Sequence, residues 1–251
     1  MIDIHCHLTF SGMNEIKDEV IKEAKKSMHA LITCGLSRDL KEALGFSKRY
    51  PDFVYLSLGI HPEDVANMND AEIKEDLDFI RSHVDDVVAI GEIGMDYYWV
   101  ADSEQNKRCR KVFIECLDIA KESDLPVILH SRRAEEDVFN IVKENGMKKV
   151  VFHHYSGSMT LAKQIIDSDY YLSIPTIIAT SRNLKKIVKN FPLEKFMTET
   201  DSPFNSPPSD KTNYPYNVRL TIEKISELRN EDFKIVEETT TLNAVKFFNL
   251  A

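Results

Sequence analysis

Short apolar runs alternate along the chain with longer stretches in which apolar residues recur every three or four positions. The runs cover 1–7, 30–34, 54–61, 87–95, 126–131, 149–155, 170–176 and 195–201. They have strand length, are rich in Val, Ile, Leu and Phe, and are mostly apolar on both faces. Strands with helices on one side and a packed interior on the other have that pattern. Between them, 103–123 and 159–166 read as amphipathic helices. Eight strand–helix units in 251 residues predict an α/β fold of the (β/α)8 TIM-barrel class, built as a single unit over 1–251. No composition shift marks a domain boundary, and no repeat or low-complexity segment interrupts the alternation. The proline-rich segments 202–208 and 213–215 predict one long loop after the eighth strand.

The polar residues inside these runs fall at their C-terminal ends. His5 and His7, Glu92, His130, His153, and Glu199 with Asp201 end five different strands. In a βα barrel that end is where active sites are built. His5 and His7, two apart on a strand, point to one face, and Cys6 points away into the core. Strand parity likewise sends His153 and His154 to opposite sides, so one of the pair serves as a ligand. It also places Glu199 and Asp201 on one face. Four histidines, Glu92 and Asp201 are too many ligands for one catalytic ion that keeps an open position. They suit two adjacent ions, with Glu92 as the bridging carboxylate. Imidazole favours zinc, manganese, iron or nickel, and the carboxylates admit magnesium.

Composition narrows the partners. The chain carries 41 acidic and 32 basic residues, a net charge of −9, a poor match for wrapping long duplex nucleic acid by charge alone. A local phosphate site remains open, because bound divalent cations dominate the field around them. Hydrophobic residues make up 43% of the chain, enough to build a full core. No apolar run approaches the roughly 18 residues of a membrane span, and Met1 leads directly into the first strand with no basic or apolar leader. The four cysteines lack metal-site spacing and fit a reducing compartment. A cytoplasmic enzyme without membrane association or obligate protein partner is the expectation.

Taken in order, Asp3-Ile4-His5-Cys6-His7-Leu8, Gly59-Ile60-His61-Pro62, Gly91-Glu92-Ile93-Gly94-Met95-Asp96-Tyr97, His130-Ser131-Arg132, His153-His154-Tyr155-Ser156-Gly157 and Glu199-Thr200-Asp201-Ser202-Pro203 span nearly the whole chain. This series resembles the TatD-related metal-dependent deoxyribonucleases, a branch of the amidohydrolase-like barrels. The resemblance implies that His5, His7, Glu92 and Asp201 hold one ion, and that Glu92, His130 and His153 hold a second. It selects His153 over His154 and Asp201 over Glu199, leaving Glu199 as a partner of a ligand. It implies two divalent ions (Mg, Mn or Zn) that activate water, with Glu92 and Asp201 as the catalytic carboxylates and Asp201 accepting the water's proton. It further implies DNA as substrate, cleaved in exonuclease fashion at single-stranded or 3′ ends. Thr9-Phe10 stands where the family commonly has an acidic residue. Thr212-Asn213-Tyr214-Pro215 stands where it usually has Arg-Asn-Glu-Pro, so that arginine is missing.

Residues around the six ligands carry two readings each. His61 ends the third strand at the same mouth, as a phosphate contact or a strand-capping turn residue. Arg132 is suited to a phosphate oxygen or to a salt bridge with Glu135 or Glu136. Tyr97, Tyr98 and Trp99 can stack a base or pack on the barrel rim, and Asp96 and Tyr97 can simply structure the loop after strand four. His29 and His83 precede strands, at the opposite mouth, and 184–190 reads as a solvated lysine-rich helix face. Two rival functions stand beside the nuclease. One is an amidohydrolase or lactonase acting on a small molecule. Many of those carry a carboxylated lysine where this chain has Glu92. The other is a metal-binding interaction module without catalysis, against which the intact ligand set argues.

Overall fold

A computed structural model describes residues 1–207 and 211–251, so position 208 of the expected proline-rich loop lies outside the described residues. Eight parallel strands follow one another around the sheet in chain order: β1 (Ile2–Cys6), β2 (Ala30–Gly35), β3 (Val54–Leu58), β4 (Ala89–Gly94), β5 (Val127–His130), β6 (Val150–Phe152), β7 (Tyr171–Ile174) and β8 (Phe196–Thr198). The ring closes where the start and end of the chain meet. Thr198 Oγ1 donates to the Ile2 carbonyl at 3.1 Å, Asp201 N to the His5 carbonyl at 3.0 Å, and His7 N to the Ser202 carbonyl at 2.7 Å. This is the expected (β/α)8 TIM barrel.

Each expected run meets its strand; seven strands are shorter than their runs, while β2 extends one residue past its run, to Gly35. The polar residues at the C-terminal ends, His7, His61, Ser131, His153 and Asp201 among them, lie just past the last ladder residue. Asp201 and His154 take left-handed backbone, with φ of 59° and 46°. The period-two rule therefore does not govern them, because the chain has already left the pleat. Register irregularities fall between Asp3 and Cys6 in β1 and between Ile90 and Ile93 in β4, at His5 and Glu92. A bulge of this kind re-aims a side chain beside a site.

The helices are α1 (Lys17–Ala24), α2 (Leu40–Ser47), α3 (Pro62–Asn67), α4 (Asp70–Ser82), α5 (Ser103–Glu122), α6 (Glu135–Glu144), α7 (Met159–Asp167), α8 (Arg182–Asn190), α9 (Val218–Arg229) and α10 (Phe233–Phe248). Their starts follow local chemistry. Asn69 and Glu72 form a capping box on α4, and Asp102, Ser158 and Ser181 accept the first free amides of α5, α7 and α8. Lys185, Lys186 and Lys189 lie on α8 opposite buried Leu184, Ile187 and Val188, as the amphipathic reading expects. Most of the core lies between strands and helices. A second apolar cluster joins Ile2, Ile32, Ala89, Ile128, Val151 and Met197. Residues of six strands meet only inside the ring, so the interior below the site is filled. Ala244 and Phe248 of α10 join this cluster. Among the described residues no helix is long and apolar enough to cross a membrane.

Candidate metal centre

Glu92 stands fully inside the mouth, 4% exposed. Two glycines let its strand sit so tightly. A Cβ on Gly59 would lie 2.5 Å from the Glu92 carbonyl oxygen, and one on Gly94, whose φ is 147°, would lie 2.0 Å from the His130 carbonyl oxygen. Glu92 N donates to Cys34 Sγ at 3.1 Å. The Cys34 thiol, pushed well above its ordinary pKa by burial and the nearby Glu92 charge, stays protonated and inert.

The two carboxylate oxygens of Glu92 face different histidines. Oε2 lies 3.4 Å from His5 Nε2 and 3.8 Å from His7 Nε2. Oε1 lies 2.6 Å from His130 Nδ1, 3.6 Å from His153 Nε2 and 3.7 Å from His61 Nε2. Asp201 Oδ1 stands across from Glu92, 3.4 Å from His7 Nε2 and 3.8 Å from His5 Nε2. Its Oδ2 accepts the Asn205 amide at 2.7 Å. The nitrogens His5 Nε2 and His7 Nε2 are 3.1 Å apart. Cys6 points away and donates to the Ile32 carbonyl.

This donor set fits divalent cations. Ligand atoms about 2.0–2.2 Å from a tetrahedral ion stand roughly 3.3–3.6 Å from one another, close to the spacings here. The two facing imidazole nitrogens can share one proton in a hydrogen bond, and when both are unprotonated their lone pairs suit a cation. Two overlapping groups, His5–Glu92–His153 and His5–His7–Asp201, can each hold an ion, with ligand atoms within 4.8 Å of one another. His61, Asp96 and His130 form a third such group.

The outer partners sort the histidines. His153 Nδ1 meets Glu199 Oε2 at 3.0 Å, and Glu199 Oε1 accepts the His154 amide at 2.8 Å. That leaves His153 Nε2 to the site, an arrangement that orients metal-ligating imidazoles. His130 has a carboxylate on each nitrogen: Glu92 on Nδ1, and Asp96 Oδ2 on Nε2 at 2.7 Å. The other oxygen of Asp96 accepts the Tyr98 and Trp99 amides, each at 2.7 Å. Fully buried Asp96 therefore ties the rim loop to His130, a connection beyond the loop-structuring role its sequence suggests. His61 caps α3. Its Nδ1 accepts the Glu63 amide at 3.2 Å, so the ring proton sits on Nε2 and faces Glu92. This tautomer makes His61 a donor toward the site, and that is a poor state for a ligand.

Charge follows burial and these partners. Burial alone would raise Glu92, but the charge of His153 and the hydrogen bond with His130 hold its carboxyl well below the usual carboxylate range. Asp201 is likewise held down against burial, by its bond to His7 and the charge of His153. His61 is lowered to about 3, first by burial and then by His130, and is neutral. His130 is raised to about 9 and His153 to about 10. In both, burial is outweighed by carboxylates, Asp96 and Glu92 for the former, Glu199 and Glu92 for the latter.

Arg132 lies past β5 at the rim, its guanidinium 4.0 Å from the Tyr98 ring centroid and 5.3 Å from that of Trp99. Among the described residues no carboxylate pairs with it. Glu135 instead accepts the Ser156 hydroxyl. Arg132, His61 and the candidate ligands His7, Glu92, His130, His153 and Asp201 share one open cleft of about 570 Å³. His5 is fully buried beneath it. A groove of about 590 Å³ between α2 and α4, lined by Ser37, Glu72, Glu75 and Asp76, holds no histidine. The late motif is structural. Buried Asn213 donates to the Thr200 carbonyl at 2.8 Å and to Thr176 Oγ1 at 3.1 Å, pinning the loop behind Asp201.

A sequence profile described as TatD related DNase matches residues 2–249. An uncharacterized metal-dependent hydrolase of Methanocaldococcus jannaschii is 36% identical, over 98% of this chain and 96% of its own length. Human deoxyribonuclease TATDN3 is 33% identical, over 99% of this chain and 94% of its own. The crystal structure of YJJV, a TatD homologue from Escherichia coli, superposes with a TM-score of 0.89 at 26% identity, covering 100% of this chain and 98% of that one.

Proposed function

The chain belongs to the TatD-related family of metal-dependent hydrolases, and on that premise we propose that it hydrolyses phosphodiester bonds of DNA at single-stranded or 3′ ends. One observation supports this most. Glu92 turns one carboxylate oxygen to His5 and His7 and the other to His130 and His153. A carboxylate so placed suits a bridge between two divalent ions. His5, His7, Glu92 and Asp201 would hold one, and Glu92, His130 and His153 the other. When bound, such ions lower the pKa of water and stabilise charge on the entering and leaving oxygens. The chain supplies the rest. Asp201 takes the proton of the attacking water at Oδ2, which keeps a lone pair beside the Asn205 amide. His61 donates its Nε2 proton to a phosphate oxygen. Arg132, stacked on Tyr98, turns the edge of its guanidinium to another.

Product analysis on 5′-labelled single-stranded DNA, after measuring the metal content of the purified protein, tests the reading. Metal-dependent release of nucleotides, with a parallel panel of lactones and amides left intact, is the expected result. Hydrolysis of the panel and not of DNA would assign the centre to small-molecule chemistry instead.

A further inference from the structure

Two walls of the cleft carry aromatic rings that the fold leaves uncovered. After β4, Trp99 is 58% exposed and Tyr98 41% exposed, their rings meeting edge to face at 4.6 Å, with Arg132 over both. After β8, Phe204 is 42% exposed. It leans on Phe10 at 4.9 Å and on His7 at 5.7 Å, and Arg38 lies 5.9 Å from the Phe10 centroid. Trp99 and Phe204 line the same cleft as Glu92 and Asp201. Other exposed large apolar side chains, Leu220, Ile235 and Leu242, sit singly on α9 and α10 with no such site beside them, which is ordinary for a protein surface.

We infer that Trp99 and Phe204 are two base-stacking platforms, one on each side of the scissile phosphate. The site then takes a dinucleotide step of a single strand with both bases unpaired. The inference rests on the phosphodiester reading above. Stacking tolerates any base and gains from a guanidinium near the ring; Arg132 lies over Trp99, while Phe204 is backed by Phe10, the ring over which Arg38 lies. Bases within a duplex already stack on both faces, so reaching two facing walls requires unstacking them. Platforms also suit an acidic chain, since binding by ring faces releases few counterions and depends little on salt.

Trp99 is the only tryptophan of the chain, so stacking on it reads out as quenching of intrinsic fluorescence. Metal-loaded protein is titrated with a phosphorothioate single-stranded oligonucleotide and with its blunt duplex. The single strand should quench saturably and the duplex should not. Anisotropy of a labelled strand should show Phe204→Ala and Trp99→Ala each weakening binding about tenfold, as for one lost stack, with Phe204→Tyr and Trp99→Phe restoring it. Full affinity in both alanine variants, no quenching at saturation, or equal quenching by duplex would overturn the inference. Wild-type turnover of the unmodified oligonucleotide and of bis(p-nitrophenyl) phosphate is followed in parallel. Quenching without turnover of either would sink the hydrolytic reading and leave the platforms standing. Turnover without quenching would do the reverse.

Discussion

Glu92 and its partners set the residue-scale chemistry. If Glu92 bridges, Glu92→Gln keeps its shape but removes the charge shared by both groups of ligands. Calorimetric titration should then find both ions weakened and most of the rate gone, a loss of several kcal/mol in transition-state stabilisation. His153→Ala should weaken chiefly one ion. Two full-affinity sites in Glu92→Gln would end the bridge assignment. Protons compete for the same ligands. In the metal-free protein His130 and His153 titrate at about 9 and about 10, above the ordinary 6.5. The sign follows from linkage: a raised folded-state value gives stability that is complete below 6.5 and lost as pH rises through 9 and 10. Thermal melts in chelator should therefore fall across that alkaline window. A chelated protein as stable at pH 10 as at pH 6.5 would refute the charge assignment. Metal binding, which needs neutral imidazoles, should release protons at neutral pH.

At the scale of elements, the short helix α3 and the site share one side chain. His61 accepts the Glu63 amide through Nδ1 and faces Glu92 through Nε2. Asparagine is a strong cap but cannot reach the site as a ring does. His61→Asn should therefore keep the denaturation midpoint and raise KM or lower turnover. His61→Ala should do both, losing about 1 kcal/mol of stability as well. Equal kinetic constants in the Asn variant and the wild type would reduce His61 to a cap. Sequence patterning revealed all eight strands, because buried strands read as apolar runs. It revealed the ligand candidates because His, Glu and Asp at five run ends have no place in a core. It could not reveal what depends on departures from regular strand: the irregularities at His5 and Glu92, the left-handed turn at Asp201, or the carboxylate of Asp96 behind His130. In sequence, Phe204 reads as loop packing after a proline, and only the folded rim shows it uncovered.

For the whole molecule, the filled barrel interior below the site means the fold owes little to the metal. Chelation should abolish activity while far-ultraviolet circular dichroism keeps its helical signal, unlike a zinc finger, which unfolds when stripped. Loss of that signal at ambient temperature would contradict a barrel held by its own core. Above that interior, Asn213 braces the loop behind Asp201 in a motif that lacks its usual arginine.

The seam where β8 meets β1 also fixes when the site can exist during synthesis. Thr198 and Ile2, which meet there, are 196 positions apart, and His5, His7 and Asp201 flank the same junction. A ribosome adding about 5–20 residues per second takes roughly ten to forty seconds between them. Throughout that interval the nascent chain carries His5 and His7 without Asp201. The candidate centre is thus divided between the first and last strands during synthesis, and it is complete only when the ring shuts.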